Sequence, residues 1–165
     1  MLQPEIQTRR CKVLVIEDFP LVRNSLISLI ESDSDYEVCG HAENGKEALE
    51  QVAEHFPELI CLDLGLGDVD GFDLIRQIRE LQKDAKIIVI SMRREETSAG
   101  EALSAGALGY IMKSEAPEVI LKALKSVQSG RIFMSSRISP EVIKEKGDSS
   151  ASGKKRFGVQ SLTRR

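Results

Sequence analysis

The amino-acid sequence predicts an α/β fold built on a doubly wound parallel sheet. Two observations lead to this fold class. Five short β-rich runs occur along the chain, and several are apolar throughout, as parallel strands are when helices cover both faces of their sheet. Helical periodicity fills each interval between these runs and also follows the last one. Because parallel strands are joined by right-handed crossovers, we predict a (βα)₅ domain over residues 11–130.

The five predicted strands are short runs in which Val, Ile and Leu predominate. In chain order they are KVLVI (12–16), YEVCGHA (36–42), ELICLD (58–63), KIIVIS (86–91) and LGYIM (108–112). Their length and apolar character fit a sheet that is buried between two layers of helices.

The five predicted helices present apolar residues on one face. In chain order they cover residues 20–32, 44–56, 71–82, 94–107 and 116–130. Pro20 and Pro117 suit the first turn of a helix, where no backbone donor is needed. Asn44 suits an N-cap, and Gly130 suits a helix end. The fourth pattern is less amphipathic than the others because it consists largely of small residues and carries two glycines.

The composition excludes several classes of protein. The longest apolar runs are strand-sized, so we expect no membrane span. The first ten residues are followed by no apolar segment of the kind found in signal peptides. Cys11, Cys39 and Cys61 form no close-spaced pair, so we expect buried, reduced thiols, with a disulfide or metal role as the alternative. These features together favour a cytoplasmic protein.

Charge divides the chain into two parts. Residues 1–130 hold 14 Lys and Arg against 23 Asp and Glu, whereas residues 131–165 hold 9 against 3. An acidic domain is thus followed by a basic tail, which indicates two different roles. We expect residues 131–160 to be a linker, rich in Gly, Ser and charge towards its end, with one short helix near 139–146. The last residues, 161–165, resume an N-cap-like signal.

Polar residues follow four of the predicted strands at the point where each strand ends. They are Glu17 and Asp18 after the first strand, Asp63 at the end of the third, Ser91 at the end of the fourth and Lys113 after the fifth. Ligands of open parallel sheets bind outside the carboxyl ends of the strands. We therefore expect these five side chains to converge on one edge of the sheet.

Three carboxylates at one edge require a counter-charge. At ~4 Å and an effective dielectric constant of about 20, each pair repels by on the order of 4 kcal/mol. Mg²⁺ removes this penalty and suits a site with few carboxylates, a backbone oxygen and a phosphoryl oxygen. The lysine adds a point charge and the serine a hydroxyl donor, so the set favours phosphoryl transfer with Asp63 as acceptor. Alternatively, each acid alone could be a helix cap or a turn residue.

Four motifs of this chain occur together in one known family. They are VLVIED (13–18), LICLDL (59–64) with Gly71 eight residues after the acid, IIVIS (87–91) and GYIMK (109–113). With these motifs in this order, the chain resembles a response-regulator receiver domain of two-component signalling over about residues 11–130. The resemblance implies the flavodoxin-like strand order 2-1-3-4-5.

The resemblance also implies roles for the acidic residues. Asp63 would accept a phosphoryl group from the phosphohistidine of a sensor histidine kinase. Asp18 would bind Mg²⁺ directly, whereas Glu17 would act chiefly through a bound water. Asp63 and the backbone carbonyl of Gly65 would complete the metal ligands of the protein.

Three further residues receive roles through the same resemblance. Lys113 would form an ion pair with the phosphoryl oxygens. Ser91 would contact the phosphoryl group and shift on activation together with Tyr110, although packing in the core is an equally ordinary role for that tyrosine. The implied function is that of a phospho-accepting signalling domain rather than an enzyme, limited to self-phosphorylation and slow autodephosphorylation.

The second half of the chain is similar to the NarL/FixJ (LuxR-type) transcription regulators. The likeness lies in MKSEAP (112–117), GRIFMS (130–135) and SLTRR (161–165), the last resembling the start of their helix-turn-helix output domain. The resemblance implies a DNA-binding domain that would begin where this sequence stops. Without a recognition helix, the chain alone is not expected to distinguish DNA sequences. The family also implies a possible homodimer.

The chain departs from the family pattern in one loop, and two other classes of function stay open. Many relatives have proline four residues after the acceptor, whereas Gly67 stands there and leaves the loop less restricted. One alternative is a pseudo-receiver that binds partners without taking phosphate. Another is a haloacid-dehalogenase-type phosphatase, but its second acid would occupy the position of Gly65. A nucleotide-binding enzyme is disfavoured because NGKEA (44–48) lacks the rest of a phosphate-binding loop.

Overall fold

The computed structural model describes residues 8–93 and 95–135 of the chain. In these ranges six strands form a single parallel sheet with helices on both of its faces. The strands are β1 (Cys11–Ile16), β2 (Tyr36–Ala42), β3 (Leu59–Leu62), β4 (Lys86–Ser91), β5 (Gly109–Met112) and β6 (Phe133–Met134). Their order in the sheet is β2-β1-β3-β4-β5-β6, so the predicted fold class and the order of the first five strands are confirmed.

Five helices connect the strands, close to the predicted positions. They are α1 (Pro20–Glu31), α2 (Gly45–His55), α3 (Gly71–Leu81), α4 (Glu95–Ala105) and α5 (Pro117–Gln128). Proline occupies the first turn of α1 and of α5, as expected. Asn44 accepts a hydrogen bond from the Glu47 N–H at 2.9 Å and caps α2.

Alternation along the strands divides the core into two layers. In β1, Val13 and Val15 face one side of the sheet, while Leu14 and Ile16 face the other. The first side packs against α1 and α5, and the second packs against α2, α3 and α4. Because both faces are covered, the central strands contain almost no polar side chains until their carboxyl ends.

The sixth strand lies beyond the predicted end of the domain at residue 130. The sequence predicts a linker from residue 131, but Phe133 donates its N–H to the Leu108 carbonyl at 2.9 Å, and β6 extends the sheet. A two-residue strand is too short to show any periodicity, and its pairing depends on a turn at Gly130, whose φ is +82°. The predicted short helix at 139–146, the rest of the linker and residues 161–165 lie outside the described residues.

All three cysteines are free thiols. Burial raises the pKa of Cys11 and of Cys61 to about 12, so both thiols stay protonated at neutral pH. Cys39 is half-buried on β2, and burial raises its pKa as well.

Within the two described ranges, no helix has both the length and the apolar surface needed to cross a membrane.

Candidate functional site

Strand topology brings three carboxylates together at the carboxyl edge of the sheet. Glu17 and Asp18 directly follow β1, and Asp63 directly follows β3. These strands are neighbours, and the last residues of the two, Ile16 and Leu62, lie opposite each other. One oxygen from each of the three carboxylates lies within 4.8 Å of the other two. The predicted convergence of these acids is therefore present in the structure.

Lys113 lies between two of these acids. Its Nζ atom is 2.6 Å from Glu17 Oε2 and 3.2 Å from Asp63 Oδ2. The lysine follows β5, and its backbone N–H donates to the Ser91 carbonyl at 2.9 Å, which continues the pairing of β4 with β5 beyond the strand ends. The side chain is only 13% exposed, so little water screens these ion pairs.

Burial and charge oppose each other at the Glu17–Lys113 pair. Burial raises the pKa of the Glu17 carboxyl, while hydrogen bonds from Lys113 and from the Phe19 N–H act to lower it. Burial opposes the charge of Lys113, but its contacts with Glu17 and Asp63 outweigh this effect and raise its pKa. The lysine is therefore a permanent ammonium at neutral pH, placed where it offsets two carboxylates at once.

The carboxylate cluster suits a divalent cation. Three carboxylates oppose the single ammonium of Lys113, so the cluster carries excess negative charge. Glu17 Oε2 is buried, and beyond its ion pair with Lys113 it accepts no hydrogen bond within the part of the chain that is described. Asp18 is exposed and gives the cluster access to solvent. Hard carboxylate oxygens on a partly open edge are the donors that Mg²⁺ prefers.

Gly65 lies against the carboxylate of Asp63. A Cβ atom at this position would stand 3.2 Å from Asp63 Oδ2, so the glycine leaves the space beside the carboxylate free of side-chain atoms. Its predicted role as a backbone metal ligand stays a prediction.

The two predicted switch residues are joined through the backbone of Arg93. Ser91 is buried at the end of β4, and its Oγ accepts a hydrogen bond from the Arg93 N–H at 3.2 Å. Tyr110 is fully buried on β5, and its hydroxyl donates to the Arg93 carbonyl at 3.1 Å. Both side chains therefore contact the loop that leads into α4, which is the arrangement a coupled movement of the two would need.

Arg23 is a buried residue of this region that the sequence analysis does not single out. One guanidinium nitrogen donates to the Glu17 carbonyl at 3.0 Å, and another pairs with Glu43 Oε1 at 2.9 Å. The arginine thus ties the turn that carries the acids to the loop after β2. Its position was detectable, because Arg23 lies three and seven residues before Leu26 and Ile30, on the buried face of α1.

An apolar groove of about 710 Å³ opens beside the acids. One face of α1 and the N-terminal turn of α5 form its walls, and Glu17, Asp18 and Lys113 also line it. Phe19, Leu21 and Met92 also line the groove, and each of these side chains is more than half exposed. Exposed apolar side chains that lie together often mark a binding surface.

Comparisons with known proteins indicate the family of this chain. Residues 13–125 match the family described as "Response regulator receiver domain". The nitrate/nitrite response regulator protein NarL of Escherichia coli is 34% identical over 128 residues, which cover 78% of this chain and 59% of NarL. The chemotaxis protein CheY of Thermotoga maritima is 34% identical over 70% of this chain and 96% of CheY.

A solved structure shows the same fold. The crystal structure of a LuxR-family two-component response regulator from Aurantimonas superposes with a TM-score of 0.77 at 30% identity, covering 84% of this chain and 99% of the other. These matches do not favour the phosphatase or the pseudo-receiver alternative. The chain spans about six-tenths of the length of NarL. The chain therefore belongs to the response regulator receiver family, in its NarL/LuxR-type branch.

Proposed function

We propose that this chain accepts a phosphoryl group on Asp63 from a phosphohistidine of a sensor histidine kinase. The observation that carries this proposal is the placement of the Asp63 carboxylate, 3.2 Å from the Lys113 ammonium and beside two further acids. A carboxylate at an otherwise apolar strand end is a suitable nucleophile, because the neighbouring ammonium can offset charge on an incoming phosphoryl group.

In the proposed reaction, an oxygen of Asp63 attacks phosphorus while the bond from phosphorus to the donor nitrogen breaks. The aspartate becomes an acyl phosphate, and the released imidazole keeps the electron pair of the broken bond and takes up a proton. Lys113 pairs with the transferred oxygens in place of the free carboxylate. Glu17, Asp18, Asp63 and the Gly65 carbonyl would hold Mg²⁺, which when bound neutralises charge on the phosphoryl oxygens.

Ser91 and Tyr110 would transmit the change. The Ser91 hydroxyl would leave the Arg93 N–H to contact the phosphoryl group, and Tyr110 would follow because its hydroxyl bonds to the same residue. Phosphorylation would then shift the population towards an active form of the loop and α4. The reaction would be limited to one phosphoryl group per chain and its slow hydrolysis.

The partners belong to the same proposal. The apolar groove beside the acids supports docking of the kinase there, because a phosphohistidine that reaches Asp63 would approach it from this edge. The likeness to NarL and to a LuxR-family regulator supports control of a DNA-binding output domain, with a possible homodimer. The free thiols support a cytoplasmic setting.

The proposal is tested by phosphorylation from acetyl phosphate with Mg²⁺, followed by intact mass measurement. Wild-type protein should gain one phosphoryl group, and Asp63→Asn should gain none. Asp73→Asn is the matched control, since it removes an exposed carboxylate from α3 and should label as wild type does. Absence of labelling in the wild type would favour a pseudo-receiver, and repeated turnover of a phosphate ester would favour an enzyme.

A further inference from the structure

The loop between β3 and α3 contains two glycines and no proline. Leu64 and Leu66 are buried and hold the first half of the loop in the core, while Gly65 and Gly67 are exposed. A Cβ atom at Gly67 would have no neighbour within 4 Å, so nothing packs against the loop at that point. Glycine loses more backbone conformational freedom on ordering than any other residue. This loop therefore needs another source of order if its carbonyl and Asp63 are to keep a fixed geometry.

Asp68 supplies a contact at the far end of the loop. Both of its carboxylate oxygens accept from the N–H of Gly45, at 3.2 and 3.0 Å. Gly45 is the first residue of α2, whose N-terminal N–H groups and dipole favour a carboxylate. Val69 packs on the same glycine, since a Cβ atom there would lie 2.7 Å from its Cγ1. Two consecutive side chains thus fasten the loop to one point on α2.

The attachment point on α2 is itself firmly held. Asn44 caps the helix, and the Glu47 carboxylate accepts from the N–H of Glu43, the residue before the cap, at 3.0 Å. The Glu43 side chain in turn pairs with Arg23, which holds the Glu17 carbonyl. The segment between β2 and α2 contributes no acid to the cluster. It is nevertheless linked to the turn that carries Glu17, through Arg23, and to the loop that carries Asp63, through Gly45 and Asp68.

We propose that Asp68 is a positioning residue, which fixes the glycine-containing loop so that Asp63 and Gly65 present their oxygens to Mg²⁺. The side chain of Asp68 would restrict the loop through its contact with α2, whereas many relatives restrict the same loop by a proline in its sequence. The inference rests on the proposed function for the identity of the bound ion. The contact between Asp68 and Gly45 uses none of the proposed metal ligands, so its effect on the loop can be measured without any metal.

The first experiment measures Mg²⁺ binding by calorimetry together with amide hydrogen exchange of the metal-free protein. Asp68→Ala should weaken Mg²⁺ binding by about three- to tenfold, the range expected for loss of a capping contact. Exchange at Gly45 and in residues 64–68 should accelerate by a similar factor. Asp68→Asn keeps an acceptor without the charge and should stay near wild type, and Asp73→Ala controls for the loss of one exposed carboxylate.

The second experiment is rescue by stiffening the loop. Gly67→Ala fits the open space at this position and lowers the freedom of the loop, so in an Asp68→Ala background it should recover about two- to fivefold in Mg²⁺ binding. If Asp68→Ala binds Mg²⁺ as wild type does, or if Asp68→Asn falls as far as Asp68→Ala, the positioning role is wrong. If the wild type itself fails to bind Mg²⁺, the proposed function fails, and the exchange data alone decide whether Asp68 orders the loop.

Discussion

Glu17 is almost completely buried, at 1% exposure, yet its nearest cation is one that it shares with Asp63. A buried carboxylate is costly unless its charge is compensated, and one ammonium compensates only one of two. Further negative charge on Asp63 would therefore compete with the Glu17 carboxylate for the ammonium of Lys113. The ion pair between Glu17 and Lys113 should therefore respond to the charge on Asp63 more strongly than a solvent-exposed ion pair would.

Arg23 is the residue whose loss should disturb the site without removing any acid. Arg23→Ala should lower the free energy of unfolding by about 2–4 kcal/mol, because the Glu17 carbonyl loses its donor inside the protein. Glu43→Gln should cost less than about 1 kcal/mol, since the Glu43 side chain is half exposed. Urea denaturation of both variants measures the difference. Equal losses of free energy would show that Arg23 stabilises the protein through its ion pair with Glu43 and not through its hydrogen bond to the Glu17 carbonyl.

The acids and the lysine were predictable because each directly follows a strand, and parallel strand ends meet at one edge. Asp68 was not predictable in the same way. Its partner is the N–H of Gly45, 23 residues earlier in the chain, and only the packing of α2 against α3 brings the two together. Neighbouring loops leave no periodic pattern in a sequence, so contacts between them emerge only from the fold.

At the scale of elements, β6 is a strand that the pattern of apolar residues along the sequence does not predict. The strand has only Phe133 and Met134, which pack on opposite sides of the sheet, one against each core layer. Neither residue is fully buried, and beside its pairing with β5 the segment donates backbone hydrogen bonds from Phe133 to Leu108 and from Ser135 to Tyr110. The long strands and amphipathic helices were predictable from their own residues, whereas this strand exists because β5 offers it an open edge.

Removal of β6 should therefore destabilise the domain. The free energy of unfolding of a chain that ends at residue 130 should be about 2–4 kcal/mol lower than that of a chain that ends at residue 135, because the shorter chain loses the backbone pairing with β5 and the apolar contacts of Phe133 and Met134. Urea denaturation of the two chains measures the difference. Equal stability would mean that β6 only rests on the sheet edge, and that the domain ends with α5 as the sequence predicted.

At the scale of the whole molecule, the two sides of the sheet carry different features. The side covered by α2, α3 and α4 carries the loops that the proposed switch would move, including the segment held by Tyr110. The side covered by α1 and α5 carries the apolar groove and two buried thiols. The acids lie at the carboxyl edge between the two sides, so in the proposed function the donor would dock on the side of the groove and the switch would act on the other side.

The buried thiols predict how the stability of the whole domain depends on pH. The pKa of Cys61 is raised by burial from its ordinary value of 9.0 to about 12, and that of Cys11 is raised to the same level. Above pH 9 the unfolded chain loses protons that the folded chain keeps, so the unfolded state is favoured. This stabilisation is fully present below pH 9 and is lost as the pH rises towards 12, by up to about 1.4 kcal/mol per pH unit for each thiol.

Urea denaturation between pH 7 and pH 10.5 measures this loss, and Cys61→Ala separates the thiol from other groups whose pKa is also raised in the folded protein, such as Tyr36 and Lys113. The variant should be less stable at pH 7 because it leaves a cavity in the core. Its stability should nevertheless fall less steeply above pH 9, so the two curves should converge. Parallel curves would mean that Cys61 ionises in the folded protein as readily as in the unfolded chain, which a thiol 1% exposed between α5 and the sheet should not do.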